Sequence, residues 1–516
     1  MKTDYFRTKP LAQVLNEAGE DGEHTLRRVL GPVHLIALGI GAVIGAGIFV
    51  ITGSAAAQYA GPAITLSFIL AGLGCAFAGL CYAEFSTLIP VSGSAYTYGY
   101  ATLGEIVAWI IGWDLILEYA FSAATVASGW GATLVSLLQD FGISIPPQLT
   151  ESPGETLVQF QGRWELLSTV APLIRAAGVS VDSLPHVTSL FNLPAFLVIC
   201  VVTAILVVGV QESAALNTVM VVVKLGTVLI FIGVAGLFLA KNPGLATTNW
   251  TPYIPENTGH FGEFGWSGIA RGAGVIFFAY IGFDSVSTAA QEAKNPQRDM
   301  PIGILGSLVI CTVLYIVVAG LLTGSISYSR LNVAAPVALA IDATGIRWGS
   351  FLVKVGSLAG LSTVILVTLM GQSRVFLSMS RDGLIPPWAA KIHPRFRTPW
   401  ISSILVGLGV AIFAALIPIG TLGQLVAIGT LLAFSIVCAG VWILRIKQPE
   451  LHRPFKTPWV PFVPLMGIGI SVLLMVSLPT DTWIRLAVWL AIGMAIYFGY
   501  GRKHSRVQSI SRTRAG

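Results

Sequence analysis

The sequence predicts an all-α membrane protein of about twelve transmembrane helices, built as two inverted five-helix repeats with two more helices at the C-terminal end. Three observations carry this. Hydrophobic residues make up 54% of the 516-residue chain and charged residues 10%, outside the range of ordinary soluble proteins. About twelve apolar segments reach the length needed to cross a hydrocarbon core of about 30 Å. The first and sixth of them are interrupted, with about five spans per half, so the second half sits inverted relative to the first. Paired interrupted helices in two inverted halves mark a transporter binding site near the bilayer midplane.

The first interruption is Gly39-Ile40-Gly41-Ala42-Val43-Ile44-Gly45-Ala46-Gly47-Ile48-Phe49, inside an apolar run from Val33 to Ala57. Each glycine costs a helix roughly 1 kcal/mol relative to alanine. The segment therefore reads as a helix that stops near Gly41 and restarts near Gly45. That leaves free carbonyls on one half and free N–H groups, with a positive dipole end, on the other, a site suited to a zwitterion. A close-packing face through Gly41 and Gly45 is the alternative. The second break, Phe278-Ala279-Tyr280-Ile281-Gly282-Phe283-Asp284 in span 6, shifts the balance toward function.

In chain order, residues 1–32 read as a cytoplasmic tail with a surface helix around Pro10–Leu15. Residues 33–240 form the first repeat, 241–265 an outer loop, 266–445 the second repeat, 446–501 helices 11 and 12, and 502–516 a basic cytoplasmic tail. Span 2 runs roughly from Ala63 to Leu88 and ends at the turn Pro90–Ser94. Span 3 covers about Tyr100–Val126. Residues 139–192 are too polar to span and belong outside. Span 4 lies near Leu193–Val210, and a turn with Gln211 and Glu212 leads to span 5, about Leu216–Leu239. Span 6 starts near Gly268 and span 7 at Pro301; an outer loop with a short amphipathic helix precedes span 8, about Gly349–Phe376.

The net charge of +6 is no nucleic-acid footprint, because basic residues flank the spans. Lys2, Arg7, Lys9, Arg27 and Arg28 precede span 1, and later clusters such as Arg445, Lys447, Arg453 and Lys456 fall on the same side. The positive-inside rule then places both termini in the cytoplasm of a multi-pass cell-membrane protein. The five cysteines all fall within spans, which argues against a disulfide framework. No histidine falls mid-span, so no metal or haem site is expected and no cofactor is implied.

Lys224 sits near the centre of span 5. A lysine there costs roughly 2.5–3.5 kcal/mol on insertion scales and marks a functional site by default. The nearer membrane face is roughly 11 Å away at 1.5 Å per residue, too far for snorkelling. Its expected partners are the carbonyls released at the first break or a carboxylate such as Asp284, and it is a candidate to carry a transported proton. Asp114 and Glu118 share one face of span 3; Glu118 reads as a pocket or relay carboxylate, with a helix-packing role the alternative. Asp284 follows the second break, where it can cap the restarted helix or serve the proton. Glu84, Glu292 and Arg374 are candidates for an inner-gate network. Phe278 and Tyr280 bracket the second break, suited to closing over a substrate or to core packing. Ser362, Thr363, Thr368 and Ser373 offer hydroxyls on span 8, each with bonding to its own helix as the alternative.

The run Gly39–Phe49, Tyr82-Ala83-Glu84-Phe85 followed by Pro90–Tyr96, Phe278–Glu292 leading into Asn295-Pro296, and Ser380-Arg381-Asp382-Gly383-Leu384 together resemble the cationic amino acid transporter family of the amino acid–polyamine–organocation superfamily, in a bacterial member. The resemblance implies the LeuT-like fold, with substrate held where helices 1 and 6 unwind. It implies that Ala46, Gly47 and Ile48 N–H groups meet a carboxylate, that carbonyls near Val43, Phe278, Ala279 and Ile281 meet an ammonium, and that Phe278 acts as a gate. Gly45, Glu118 and Thr368 complete the candidate substrate-binding set; Lys224, Asp284 and Glu118 are the coupling set, with the lysine standing where sodium sits in sodium-coupled relatives. A small single-span membrane subunit is a candidate partner beside the amino acid, protons and lipid. The pocket stretch Val367-Thr368-Leu369-Met370 is largely apolar, so the family name does not establish a cationic substrate.

The expected function is therefore proton-coupled, sodium-independent L-amino acid transport by alternating access, with no enzyme activity. An exchanger or uniporter of cationic amino acids and a sensor with a transporter fold are the alternatives. A channel would want pore-lining rings or filter repeats, and an embedded enzyme a metal cluster or nucleophile–base pair at depth; the sequence offers neither.

Overall fold

In the computed structural model, residues 7–9, 30–89, 94–160, 162–209, 214–290, 293–333, 335–396 and 398–508 are described. The expected surface helix at Pro10–Leu15, the turn at Pro90–Gly93, Gln211, Glu212 and Glu292 lie outside them. Seven helical stretches are long and apolar enough to cross a membrane, and three shorter apolar helices accompany them. Because the first stretch, Pro32–Leu88, holds two spans and the broken sixth span adds another, the bundle has about twelve crossings. The chain is an all-α multi-pass membrane protein.

Span 1 comprises Pro32–Val43 and the restarted half Gly47–Ala63, and span 2 is Ile64–Leu88. Spans 3 to 5 are Glu105–Asp140, Leu193–Val208 and Ala214–Lys241. Span 6 is Gly265–Ile276 continued by Ser285–Thr288, and spans 7 and 8 are Pro296–Ser325 and Arg347–Arg381. Spans 9 to 12 are Trp400–Leu416, Ile419–Lys447, Phe462–Ser477 and Thr480–Ile496. Span 7 starts a full turn before the expected Pro301. That proline lies inside the helix, in its second turn, where it removes one backbone hydrogen bond without ending the helix.

The packing maps onto itself when each span n is exchanged with n + 5. Spans 2 and 7, 3 and 8, and 4 and 9 pack on their own counterparts. Span 1 packs on span 7 as span 6 packs on span 2, and span 5 meets span 8 as span 10 meets span 3. This is the contact pattern of two repeats related by an in-plane pseudo-two-fold axis.

Two features lie outside the bundle. The polar stretch between spans 3 and 4 folds into a small unit: antiparallel strands β1 (Thr156–Phe160) and β2 (Arg163–Leu166), a helix Leu167–Ala176, and β3 (His186–Thr188) on the other edge of β1. Val158, Val170 and Ile174 form its own buried cluster. At the opposite end both termini meet. Lys9 pairs with Asp382 at 2.9 Å, the Arg506 N–H donates to the Asp382 carbonyl, and buried Glu105 accepts from Tyr100, Tyr497, Ser505 and Gln508. That end is called the terminal face below, and the end carrying β1–β3 the loop face.

Candidate functional site at the paired helix breaks

The first half of span 1 ends at Val43, two residues beyond the expected Gly41, where Ile44 turns extended (φ −72°, ψ 103°). The helix resumes at Ala46 and widens through Gly47–Ile51, where Thr52 Oγ1 donates to the Gly47 carbonyl at 2.8 Å. Span 6 tightens through Phe277–Tyr280, turns extended at Ile281 (ψ 133°), and passes Gly282 at φ +116° before restarting at Ser285. The two breaks touch at two points. A Cβ on Gly47 would overlap the Ala279 backbone, and one on Gly282 would lie 2.8 Å from the Ala42 carbonyl carbon and oxygen. Glycine at 282 is required twice over, by positive φ and by this close approach.

A cavity large enough to hold several waters opens beside the breaks. Of the expected substrate-binding residues, Val43, Gly45, Ala46, Gly47, Phe278, Ile281 and Thr368 line it. Ile48, Ala279 and Glu118 do not, although all three are buried alongside. The wall also takes Tyr96, Tyr119, Ser122, Val126, Val364, Val367 and Met370, then follows span 8 through Gly371 and Arg374 to Ser378. The cavity therefore runs from the breaks toward the terminal face.

Lys224 is 2% exposed, on the buried stripe of span 5 with Val221, Val228 and Phe231, while Val219, Val222 and Leu229 face outward. Its Nζ donates to the Gly41 carbonyl at 2.5 Å, in the last turn of the first half-helix. Opposite, Gly360 of span 8 makes room for the stem: a Cβ there would lie 3.2 Å from Lys224 Cγ.

Tyr315 of span 7 is the functional residue that sequence reasoning missed. Its hydroxyl lies 2.7 Å from the Val43 carbonyl and 2.9 Å from that of Ala279, so its single proton is shared between the two breaks. A tyrosine centred in an apolar span carries a hydroxyl that must find a partner, and that was the available signal. Tyr280, for which closing over a substrate and core packing were both open, packs between Phe68 and Tyr315 and donates to the Phe68 carbonyl at 2.8 Å.

Asp284 occupies the cap position of the restarted half-helix, but its side chain makes no cap bond. It accepts from the Gly282 N–H at 3.2 Å instead, bracing the break itself. The span 8 hydroxyls all bond back to their own helix: Ser362 to Leu358, Thr363 to Gly360, Thr368 to Val364 and Ser373 to Leu369. The expected inner-gate network divides. Glu84 is paired twice by Arg445 at 2.9 Å and also meets Arg453 and the Thr457 N–H, pinning span 2 to the end of span 10. Arg374 stands on the cavity wall with no ion pair among the described residues. Within those residues no group of side chains has the make-up of a metal site, and the five cysteines are free thiols.

The family model described as amino acid permease matches residues 30–497, nearly the whole bundle. The chain is 44% identical to a methylthioribose transporter of Bacillus subtilis (strain 168) over 500 residues, covering 97% of this chain and 98% of that one. It is 42% identical to the branched-chain amino acid permease BcaP of the same organism over 508 residues, covering 98% and 100%. With the vacuolar cationic amino acid transporter 4 of Arabidopsis thaliana it shares 30% identity over 600 aligned positions, covering 94% and 93%. With both broken helices, the cavity between them and the full-length match in place, the chain belongs to the amino acid permease family of the amino acid–polyamine–organocation superfamily.

Proposed function

We propose that this protein is a proton-coupled, sodium-independent secondary transporter of neutral L-amino acids, working by alternating access. The observation that carries the reading is the cavity at the two breaks. The restarted half of span 1 directs the N–H groups of Ala46 and Gly47 to it, where the dipole favours a carboxylate. Val43 and Phe278, whose carbonyls the family resemblance assigns to an ammonium, lie on the same wall. Val126, Val364, Val367 and Met370 supply apolar surface for the side chain, and Arg374, the one charged residue on the wall among the described residues, opposes a cationic one. A fixed ammonium at Lys224, bonded to Gly41, stands where a sodium ion would otherwise be needed.

On this reading the terminal face, with its excess of lysine and arginine, is cytoplasmic and the cavity is inward-open. A second reading is kept by identity alone: the methylthioribose transporter is the relative with 44% identity. That sugar has neither carboxylate nor ammonium for the two half-helix ends. The deciding experiment is a thermal-shift screen of the purified protein, since a ligand that binds only the folded state raises its apparent stability. Alanine, isoleucine, arginine and methylthioribose are compared. The expected outcome is a shift with alanine or isoleucine at least as large as with arginine. A shift with methylthioribose alone, or arginine binding that alanine cannot displace, overturns the substrate assignment.

A further inference from the structure

On span 3 the Asp114 carboxyl and one oxygen of the Glu118 carboxyl stand without hydrogen-bond partners inside the bundle. Asp114 and Glu118 are each 1% exposed, and neither oxygen of Asp114 nor Oε1 of Glu118 meets a donor or acceptor. An unpaired buried polar group costs about 1–3 kcal/mol and is rare in folded proteins. Packing does not account for Asp114, since an apolar side chain would fill the same space without that cost. The neighbouring helix is shaped around it: span 10 presents Gly429, where a Cβ would lie 2.6 Å from Asp114 Oδ1.

The surroundings give the two acids a direction. Glu118 lies within electrostatic reach of Asp284 at the second break, and Tyr82 of span 2 faces both. Asp114 is one turn, about 6 Å, along the same face, toward the helix start at Glu105 on the terminal face. Span 10 adds Gly429 and Thr430 here and no charge. Among the described residues Asp114 makes no ion pair, and its charge acts on Glu118 one turn away. A turn further down, Ile111 borders a cleft with Tyr98, Thr102 and Gly440, too narrow for water in this conformation. None of the three acids lines the substrate cavity.

Resting on the proton-coupled reading above, we propose that Asp114 is the inner station of a proton path separate from the substrate cavity, receiving its proton from Glu118 and releasing it at the terminal face. The step balances simply. When rotation of the two side chains brings the carboxyls into hydrogen-bond contact, Glu118 passes its proton to an Asp114 carboxylate oxygen and becomes the carboxylate. Asp114 then hands the same proton to water on the terminal side, once the cleft below Ile111 opens.

The test uses the full-length protein in proteoliposomes with alanine, or whichever amino acid the thermal-shift screen identifies. Wild type should accumulate substrate up to about tenfold per unit of imposed pH gradient, the limit for one proton per substrate, since one pH unit is worth 1.36 kcal/mol. Asp114→Asn, and Asp114→Ser as a second variant in case the first does not fold, should lose this accumulation, to a ratio of about one. Both should keep wild-type counterflow of labelled substrate, which needs no proton movement between faces. Unchanged accumulation in either folded variant overturns the proposal. So does a parallel loss of counterflow and accumulation in both, which marks a structural acid. A wild type that never accumulates substrate refutes proton coupling itself and is distinguishable from both.

Discussion

The ammonium of Lys224 donates to the carbonyl oxygen of Gly41 at 2.5 Å, one turn before span 1 breaks, and so ties span 5 to the backbone that shapes the binding cavity. On the proposed proton-coupled reading, a change in the protonation of Lys224 would alter the hold on this half-helix and so link coupling to conformation through a single bond.

Lys224→Met keeps the length and apolar stem of the side chain and removes the charge. Losing the bond leaves the Gly41 carbonyl unpartnered, at a cost of roughly 1–3 kcal/mol, but it also removes a buried charge. The two effects oppose, so the melting temperature should move by only a few degrees. Accumulation driven by a pH gradient should fall at least tenfold. A variant that still concentrates substrate, with the gradient verified by a dye, removes Lys224 from coupling.

Tyr315→Phe deletes one oxygen atom and with it the bridge between Val43 and Ala279. Two broken segments that share one hydroxyl are held at a fixed spacing, and the carbonyls proposed to meet an ammonium keep their places. The bond is worth about 1 kcal/mol, so amino acid affinity should weaken by about fivefold in a direct binding titration. Wild-type affinity would mean that the glycine contacts alone hold the breaks together.

Much of this was readable because the membrane makes certain features expensive. Glycine clusters in a spanning helix and a lysine at mid-depth announce themselves by their cost, and both led to the site. Tyr315 was missed because its ring satisfies the apolar pattern and only its hydroxyl carries information. Arg445 and Arg453 as partners of Glu84 were not readable, since the residues are 361 apart or more in sequence and only the fold joins them. The unit of β1–β3 was read as loop because its three-to-five-residue strands are too short to show a period. For Asp284 a cap and a proton role were both open; the restarted half spans only Ser285–Thr288 and takes no cap bond from it, and the Gly282 N–H donates to its carboxylate.

Gly47 separates packing from binding less cleanly than its sequence suggests. Its Cα approaches the Ala279 backbone so closely that even one methyl group must push the two breaks apart. Gly47→Ala should therefore weaken amino acid binding at least tenfold and lower stability by about 1–3 kcal/mol, the usual range for overpacking. Gly45→Ala meets the side chain of Val364 at 2.9 Å, which can rotate away, and should be milder in both respects. Equal affinity for wild type and Gly47→Ala in the same titration would show that the close contact is not needed to form the site.

The last prediction concerns pH and the unit on the loop face. Desolvation of the half-buried Glu151 carboxyl, which lines a cleft with Pro147, Trp164 and Leu166, and then the negative charge of Glu155 push it up to about 8 from an ordinary value of 4.5. The folded unit then holds a proton that the unfolded one releases above about 4.5. Stability is undiminished below that pH, falls as pH rises toward about 8, and levels off once both forms are ionised. Proteolysis that samples the open form follows its equilibrium population when closing is fast. Cleavage within residues 147–188 should therefore be severalfold faster at pH 9 than at pH 6, normalised to an unfolded peptide of the same sequence. Glu151→Gln cannot ionise and should show no such rise. A pH dependence that persists in the variant would assign it to another group of the unit, and a flat wild-type profile would mean that Glu151 ionises in the fold as it does in the open chain.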